Sequence, residues 1–265
     1  MQKVSDIVAV LEEAAPPRLA EDWDNVGLLV GRADRTVSRV YVALDPSPEV
    51  VEGAVAAQAQ LLVTHHPLLF RPIKRLDLAS PLGRTLETAL KNDLAIYAAH
   101  TNLDRARGGV NEILAARLGL SDCVPLGAAS ADERDFGLGC VGNLFFPTDL
   151  AGLARVAAAR LGAGVVRIAG DPLLPVTRAA LCAGSGRSLV ALFLASDAEV
   201  FITGDISHHE ARDIVDAGRG LVDAGHFATE HGVVEALCQL LSRKLSGHGV
   251  DVCACPFEKD PFRLP

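Results

Sequence analysis

Two stretches of the chain repeat one pattern, in which a short apolar run ends at a histidine that lies four positions before an acidic residue. His100 precedes Asp104, and His226 precedes Glu230. Each motif leads into a segment that begins Gly-Val and has a helical pattern. Alternation of strands with helices restricts the chain to an α/β layered fold. The repetition also indicates that one α/β half has been duplicated.

A third strand end carries two adjacent histidines. The segment Leu61–Phe70, LLVTHHPLLF, has the pattern of a buried strand that stops at His65 and His66. Neighbouring strand residues point to opposite faces, so both imidazoles reach one site only if the backbone turns, which Pro67 permits. The alternative is one buried, hydrogen-bonded histidine and one exposed histidine. The run Val200–Gly204 is the related strand of the second half.

Imidazoles and carboxylates at three strand ends predict a metal centre. Both ligand types suit borderline and hard divalent ions. Two carboxylates with at least three histidines exceed what one structural zinc needs, so the set favours two ions, which can activate water for hydrolysis. A carboxylate can bridge two ions. The alternative for Asp104 and Glu230 is a place in the first turn of a helix, where the dipole favours an acid.

Two further histidines are candidate catalytic residues. His100 could be a ligand, a hydrogen-bond partner of a ligand, or a contact to the substrate. His209, in TGDISHH, could carry protons near the site or could be a surface histidine on a helix. Asp24 and Asn25, in WDNVGLLVG, could orient a substrate or form an Asx-type turn. Gly184-Ser185-Gly186 is typical of a plain tight turn.

The charge of the chain limits its partners. A net charge of −8 over 265 residues argues against a nucleic-acid or anionic-membrane binder. Two local groups of basic residues depart from this balance, one after the histidine pair and one after Asp104. They favour a small anionic substrate, and the alternative is a solvated loop. The basic residues are Arg71, Lys74, Arg75, Arg105 and Arg107.

The chain has the character of a cytoplasmic protein. Its apolar runs are interrupted well before the roughly 18 residues that a membrane span needs. The N-terminal segment carries Asp6, Glu12 and Glu13 and is typical of an amphipathic helix rather than a signal peptide. The six cysteines form no CxxC pair, which favours reduced thiols.

The expected elements follow from the apolar pattern and the punctuation by Ser, Pro and Gly. We expect a first α/β repeat over residues 1–127 and a second over residues 128–265. Ser5 can cap a first helix that Pro16 and Pro17 end. The predicted strands are Arg39–Asp45, 61–64 and Leu94–Ala99, and the predicted helices are 48–59, 81–91, 110–118 and 150–161.

Five spaced motifs resemble the signature set of the Nif-three-like family, whose bacterial members are commonly called GTP cyclohydrolase I type 2 homologues. The resemblance covers nearly the whole chain, from about Val4 to Phe262. The motifs are Trp23-Asp24-Asn25-Val26-Gly27-Leu28, Thr64-His65-His66-Pro67, His100-Thr101-Asn102-Leu103-Asp104, Thr203-Gly204-Asp205 and Gly225-His226-x-x-x-Glu230.

The resemblance implies a fold, a ligand set and an assembly. The fold would be two intertwined α/β repeats with mixed sheets and a dinuclear metal site at their interface. The implied assembly is a ring-shaped homohexamer. From the carboxylates and histidines themselves we expect two divalent ions per chain, of iron, zinc or manganese. The implied ligands are His65, His66, Asp104, His226 and Glu230.

The implied activity is the metal-dependent hydrolytic opening of the guanine ring of GTP. Two alternatives stay open. One is a non-catalytic metal-binding protein with a regulatory or scaffold role, and the other is a dimetal phosphoesterase or amidohydrolase.

Overall fold

The computed structural model describes residues 1–127 and 137–263. Helices and strands alternate along most of this length, as the sequence pattern predicts. In chain order the elements are β1 (Gln2–Lys3), α1 (Val4–Ala14), β2 (Gly27–Val30), β3 (Thr36–Val37), β4 (Arg39–Ala43), α2 (Pro48–Ala56), β5 (Leu61–Thr64), α3 (Pro81–Lys91), β6 (Ala95–Ala98), α4 (Thr101–Arg105), α5 (Val110–Leu118), β7 (Leu120–Pro125), β8 (Cys140–Asp149), α6 (Leu150–Leu161), β9 (Arg167–Ala169), β10 (Pro175–Ser185), α7 (Val190–Ala195), β11 (Val200–Gly204), α8 (His208–Asp216), β12 (Gly220–Asp223), α9 (His226–Glu230), α10 (Gly232–Lys244) and β13 (Asp251–Ala254).

Residue contacts divide the chain into two compact units. The first unit contains Met1–Leu103 and Val233–Glu258, and the second contains Asp104–Gly232 and Lys259–Pro265. The predicted boundary between residues 127 and 128 falls at the edge of residues 128–136, outside the described residues, and stays a prediction.

The first unit is built on a five-stranded mixed sheet with the order β13-β4-β5-β6-β2. Strands β13, β4, β5 and β6 are parallel, and β2 is antiparallel to β6. All residues of β5 and β6 are buried, because apolar side chains cover both faces of a parallel sheet. Thr64 pairs with Ala98, so β5 and β6 end at the same edge.

The second unit is built on a six-stranded mixed sheet with the order β7-β8-β10-β11-β12-β9. Strands β10, β11 and β12 are parallel, and the flanking strands are antiparallel to their neighbours. Its core includes Phe193 and Phe201, whose rings stack with centroids 5.2 Å apart. Thr203 pairs with Asp223, so β11 and β12 also end together.

The two units share the central part of their topology, which agrees with the mixed α/β repeats predicted from the sequence. Each has three adjacent parallel strands, β4-β5-β6 in one and β10-β11-β12 in the other. The last of the three leads into a short helix that begins at or next to a motif histidine. These short helices are α4, after His100, and α9, from His226.

Most predicted elements match the structure, and the differences have local causes. The first helix begins at Val4 rather than after Ser5, because the Asp6 carboxylate accepts a hydrogen bond from the Lys3 amide at 2.8 Å. Helix α2 ends at Ala56 rather than at Ala59, since Gln58 adopts a left-handed backbone with φ of 57°. Among the described residues, no helix combines the length and apolar character that crossing a membrane requires.

Candidate metal centre

Three imidazoles lie together in the first unit. His65 and His66 follow β5 directly, and His100 follows β6 after Ala99. One ring nitrogen from each of the three lies within 4.8 Å of the others. The ring centroids of His65 and His66 are 5.0 Å apart, so the backbone turn at the end of β5 brings both rings to one side. His65 is fully buried, and the other two are partly exposed.

Each imidazole of this three-histidine cluster is held through its Nδ1 atom by an oxygen. A carbonyl or an ionised carboxylate only accepts hydrogen bonds, so Nδ1 of a neutral ring carries the proton and Nε2 keeps its lone pair. That tautomer is the one in which Nε2 can bind a metal. The pairs are His65 with the Ala99 carbonyl at 2.7 Å, His66 with the Asp45 carboxylate at 2.7 Å, and His100 with the Asp24 carboxylate at 2.8 Å.

Asp24 is a buried anchor for the segment that follows β6. Its carboxylate accepts hydrogen bonds from His100, from the Thr101 amide at 3.0 Å and from the Thr101 hydroxyl. Burial alone would raise the pKa of Asp24, but the hydrogen bonds from His100 and Thr101 outweigh it and hold this pKa well below its usual range. The Asn25 amide also donates to Asp24, at 2.8 Å. This bond joins neighbouring residues, whereas an Asx-type turn joins a side chain to the amide two residues on.

The C-terminal segment fixes the backbone that carries Asp45. The Glu258 carboxylate accepts hydrogen bonds from the Leu44 amide at 2.8 Å and from the Asp45 amide at 2.9 Å. Burial raises the pKa of Glu258, and the two backbone hydrogen bonds oppose this shift. The end of β4 is thereby tied down next to the residue that holds His66.

In the second unit a histidine faces a carboxylate across one turn of α9. His226 Nε2 lies 3.0 Å from Glu230 Oε2, and Glu230 is buried. Asp205 holds His226 Nδ1 at 2.7 Å, as Asp24 holds His100. With the imidazole proton on Nδ1, two lone pairs face each other at 3.0 Å. A proton or a cation between the two atoms relieves that repulsion, so this pair suits a metal ion.

Two glycines make room for this pair. Gly184, in β10, has φ of 62°, and a Cβ there would lie 2.0 Å from Glu230 Oε1 and 3.2 Å from His226 Nε2. A Cβ on Gly204 would lie 2.6 Å from the His226 amide nitrogen. Gly204 stands at the place of His65 in the repeat, so the second unit has no space for a histidine there. The expectation of a plain turn at Gly184 missed this steric role.

Asp104 lies at the end of α4, where Asn111 holds its backbone. The Asn111 side chain donates to the Asp104 carbonyl at 3.1 Å and accepts from the Ala183 amide at 2.9 Å. Cys182 is buried, and burial together with the charges of Asp104 and Glu230 raises the pKa of its thiol. Burial and the two neighbouring carboxylates therefore favour the protonated thiol at Cys182.

His209 and the basic residues that follow the histidine pair are exposed, as is Arg107, whereas Arg105 is half-buried. His209 lies on α8 with its ring 5.5 Å from that of His208, and among the described residues it belongs to no cluster of ligand-type side chains. Arg71, Lys74 and Arg75 lie in the exposed segment between His66 and α3. The Arg75 guanidinium is 3.7 Å from the Asp77 carboxylate.

Comparison with known proteins gives consistent matches over the whole chain. The model of the family described as Duf34/NIF3 (NGG1p interacting factor 3) matches residues 2–261. A Streptomyces coelicolor protein named GTP cyclohydrolase 1 type 2 homolog is 40% identical over 95% of this chain and 90% of its own length. A Clostridium perfringens protein of the same name is 32% identical over 99% of both chains.

Solved structures have the same fold. The crystal structure of a Bacillus cereus protein related to NIF3 superposes with a TM-score of 0.93 at 24% identity, over 100% of this chain and 99% of that chain. A Staphylococcus aureus protein superposes with a TM-score of 0.90 at 28% identity, with the same coverage.

Proposed function

The chain belongs to the Duf34/NIF3 (NGG1p interacting factor 3) family, and we propose that it is a dinuclear metal-dependent hydrolase that opens the guanine ring of GTP. Two divalent ions, of iron, zinc or manganese, would be held by the side chains that the sequence motifs single out. The proposed ligands are His65, His66, Asp104, His226 and Glu230.

One observation carries the metal-binding part of the proposal. Every imidazole of the three-histidine cluster, and His226 as well, has Nδ1 bonded to an oxygen acceptor. Four histidines therefore present Nε2 as a lone-pair donor, and metal-binding histidines are commonly held in this way, with the other ring nitrogen donating to an oxygen. Glu230 adds a buried carboxylate 3.0 Å from one of these nitrogens. The donor set of nitrogen and oxygen atoms suits the three metals named.

In the proposed reaction the ions would activate water, and side chains of the protein would transfer protons. When bound, divalent ions of this kind act as Lewis acids and make water a nucleophile near neutral pH. His100 would exchange protons through Nε2 only, because Asp24 occupies its Nδ1. His209 is exposed and would relay protons to solvent. These two residues are the proposed catalytic histidines.

The choice of an anionic nucleotide has two supports. Relatives carry the name GTP cyclohydrolase 1 type 2 homolog, and basic residues follow the histidine pair in the sequence. Metal-loaded protein should bind GTP more tightly than guanosine. Reversing the charge at two positions together, with Arg71→Glu and Arg75→Glu, should weaken GTP binding without loss of metal. Each Arg–phosphate contact contributes roughly 1.5–3 kcal/mol. Equal affinities for GTP and guanosine by calorimetry would remove the phosphate-binding role.

The test of catalysis begins with the metal. Protein purified without oxygen is analysed for its metal content, loaded with the metal found, and assayed for formate release from GTP. An Asp104→Asn variant, assayed in parallel, excludes a contaminating enzyme. Saturable GTP binding without product under all three metals would favour the alternative, a metal-binding protein with a regulatory or scaffold role. Turnover of a phosphoester or amide in place of GTP would assign the site to another hydrolase class.

Two further properties are proposed on the same family basis. The chain would assemble as a ring-shaped homohexamer, and it would act in the cytoplasm on a small anionic substrate. The six cysteines, all free in the structure, are compatible with a reducing compartment.

A further inference from the structure

A cavity of about 330 Å³ lies in the first unit beside His100. Its lining is shared between two loop segments, residues 23–25 before β2 and residues 69–73 after the histidine pair. The Asn25 side chain joins the segments by donating to the Leu69 carbonyl at 2.5 Å. Cavities that bind small molecules start near 300 Å³, so this one has room for a ring system rather than for a whole nucleotide.

Aromatic rings dominate one end of this cavity. Trp23 and Phe70 meet with centroids 5.8 Å apart at 73°, and Phe70 lies 6.1 Å from the His100 ring at 84°. These steep angles leave ring faces uncovered, and Trp23 is 58% exposed while Phe70 is 41% exposed. Exposure of two large aromatic side chains around a cavity is unfavourable in water, and such patches mark binding sites.

The polar lining of the cavity complements the rings. Arg71 lines the cavity, is exposed, and among the described residues has no carboxylate partner. Asp24, also in the lining, has its carboxylate engaged by His100 and by Thr101. The cavity therefore offers aromatic faces, one cation and a neighbouring imidazole of the three-histidine cluster.

We propose that this cavity is the subsite for the base of an anionic nucleotide, with the heteroaromatic ring packed on Trp23 and Phe70 and a phosphate on Arg71. The inference rests on the proposed function, since it places the ring beside the histidine cluster. Aromatic side chains stack on every base because every base has a π-face, whereas phosphate selects for charge alone. The subsite would thus supply affinity for the ring, separately from affinity for the phosphates.

The test uses the single tryptophan of the chain as a reporter. Metal-loaded protein is titrated with GTP and with inorganic tripolyphosphate, which carries the charge without the ring. GTP should quench the Trp23 fluorescence with saturation. Tripolyphosphate should leave the emission unchanged and bind at least tenfold more weakly by calorimetry. Absence of quenching at GTP concentrations that saturate in calorimetry would overturn the proposal.

Variants separate ring binding from metal binding. Trp23→Ala and Phe70→Ala should each weaken GTP binding about tenfold or more and leave metal content and tripolyphosphate affinity unchanged. Phe146→Ala, on β8 and also at an exposed aromatic, is the matched control and should change none of the three quantities. The proposal would be overturned if both cavity variants kept the GTP affinity of the unchanged protein. It would also be overturned if the only effect of the substitutions were a change in oligomeric state, measured by light scattering.

The same samples distinguish this proposal from the hydrolase proposal. Ring-dependent quenching without GTP turnover would retain the subsite and remove the catalytic assignment. Turnover with unchanged KM in Trp23→Ala and Phe70→Ala would retain the hydrolase and overturn the subsite.

Discussion

Replacement of Gly184 by alanine tests whether the His226–Glu230 pair belongs to a metal site. The new Cβ would lie 2.0 Å from Glu230 Oε1, where ordinary contact begins at 3.4 Å. The carboxylate oxygen would therefore have to retreat by roughly 1.4 Å, or the strand would have to shift by a similar amount. Metal–ligand distances tolerate only about ±0.2 Å. The displaced carboxylate would leave coordination distance.

The size of the effect follows from this displacement and from the backbone. Metal affinity should fall on the order of 10–100-fold, which is the loss typical when the groups that orient a metal ligand are changed. Stability should fall by roughly 1–2 kcal/mol from the left-handed backbone alone, since Gly184 has φ of 62°.

Gly162→Ala is the matched control. Gly162 follows α6 with φ of 64°, and a Cβ there would have no heavy atom within 4 Å. This variant carries the same backbone strain without a displaced carboxylate, so it should lose stability in urea denaturation and keep its metal. Metal competition titrations with elemental analysis compare the two proteins. Equal metal affinity in both variants would refute the reasoning that places Glu230 and His226 at a metal.

Four further outcomes are expected. Metal loading should reach two ions per chain by elemental analysis. Glu230→Gln should lower the metal occupancy. The control Glu235→Gln, at an exposed position of α10, should not lower it. Asp205→Asn should weaken metal binding with little loss of stability, because asparagine adopts its left-handed backbone (φ of 55°) as readily. Hydrogen bonding from Ser207 lowers the pKa of Glu210 from 4.5 to about 2. The stabilising effect of this carboxylate should therefore be fully present well above pH 4.5 and lost as the pH falls towards 2. Over this pH range the urea midpoint should depend less on pH in Glu210→Gln. Light scattering at micromolar concentration should give a homohexamer, and a monomer would contradict the proposed assembly.

The fold was predictable wherever local pattern and tertiary packing agree. The segment Leu61–Thr64 is a strand in the prediction and in the structure, because all four of its residues are buried, as the apolar pattern requires. Helix α3 begins at its predicted Pro81, since the Ser80 hydroxyl caps the Gly83 amide at 3.0 Å. The end of α2 was not predictable, because it depends on the backbone of Gln58 rather than on composition.

The site was predictable in its histidines and acids but not in their supports. A histidine at a strand end is visible in the sequence, whereas its hydrogen-bond partner comes from another segment. Asp45 follows β4, one strand away from His66, and only the register of β4 with β5 brings them together. Asp205, directly after β11, had a readable signal, since it stands at the place of His66 in the repeat. Gly184 had no readable signal, because the need for a residue without a side chain becomes visible only when the position of Glu230 is known.

The backbone anchor of His65 has a consequence for how the cluster withstands genetic change. Asp24 and Asp45 each hold a histidine with a side chain, which a single substitution can remove. His65 is instead held by the Ala99 carbonyl, an atom that every amino acid supplies. The Ala99 amide also bonds to the Thr64 carbonyl at 2.9 Å, so the same peptide junction belongs to the sheet. Drift in side-chain identity can therefore erase two of the three anchors, whereas the third persists for as long as β5 and β6 stay paired.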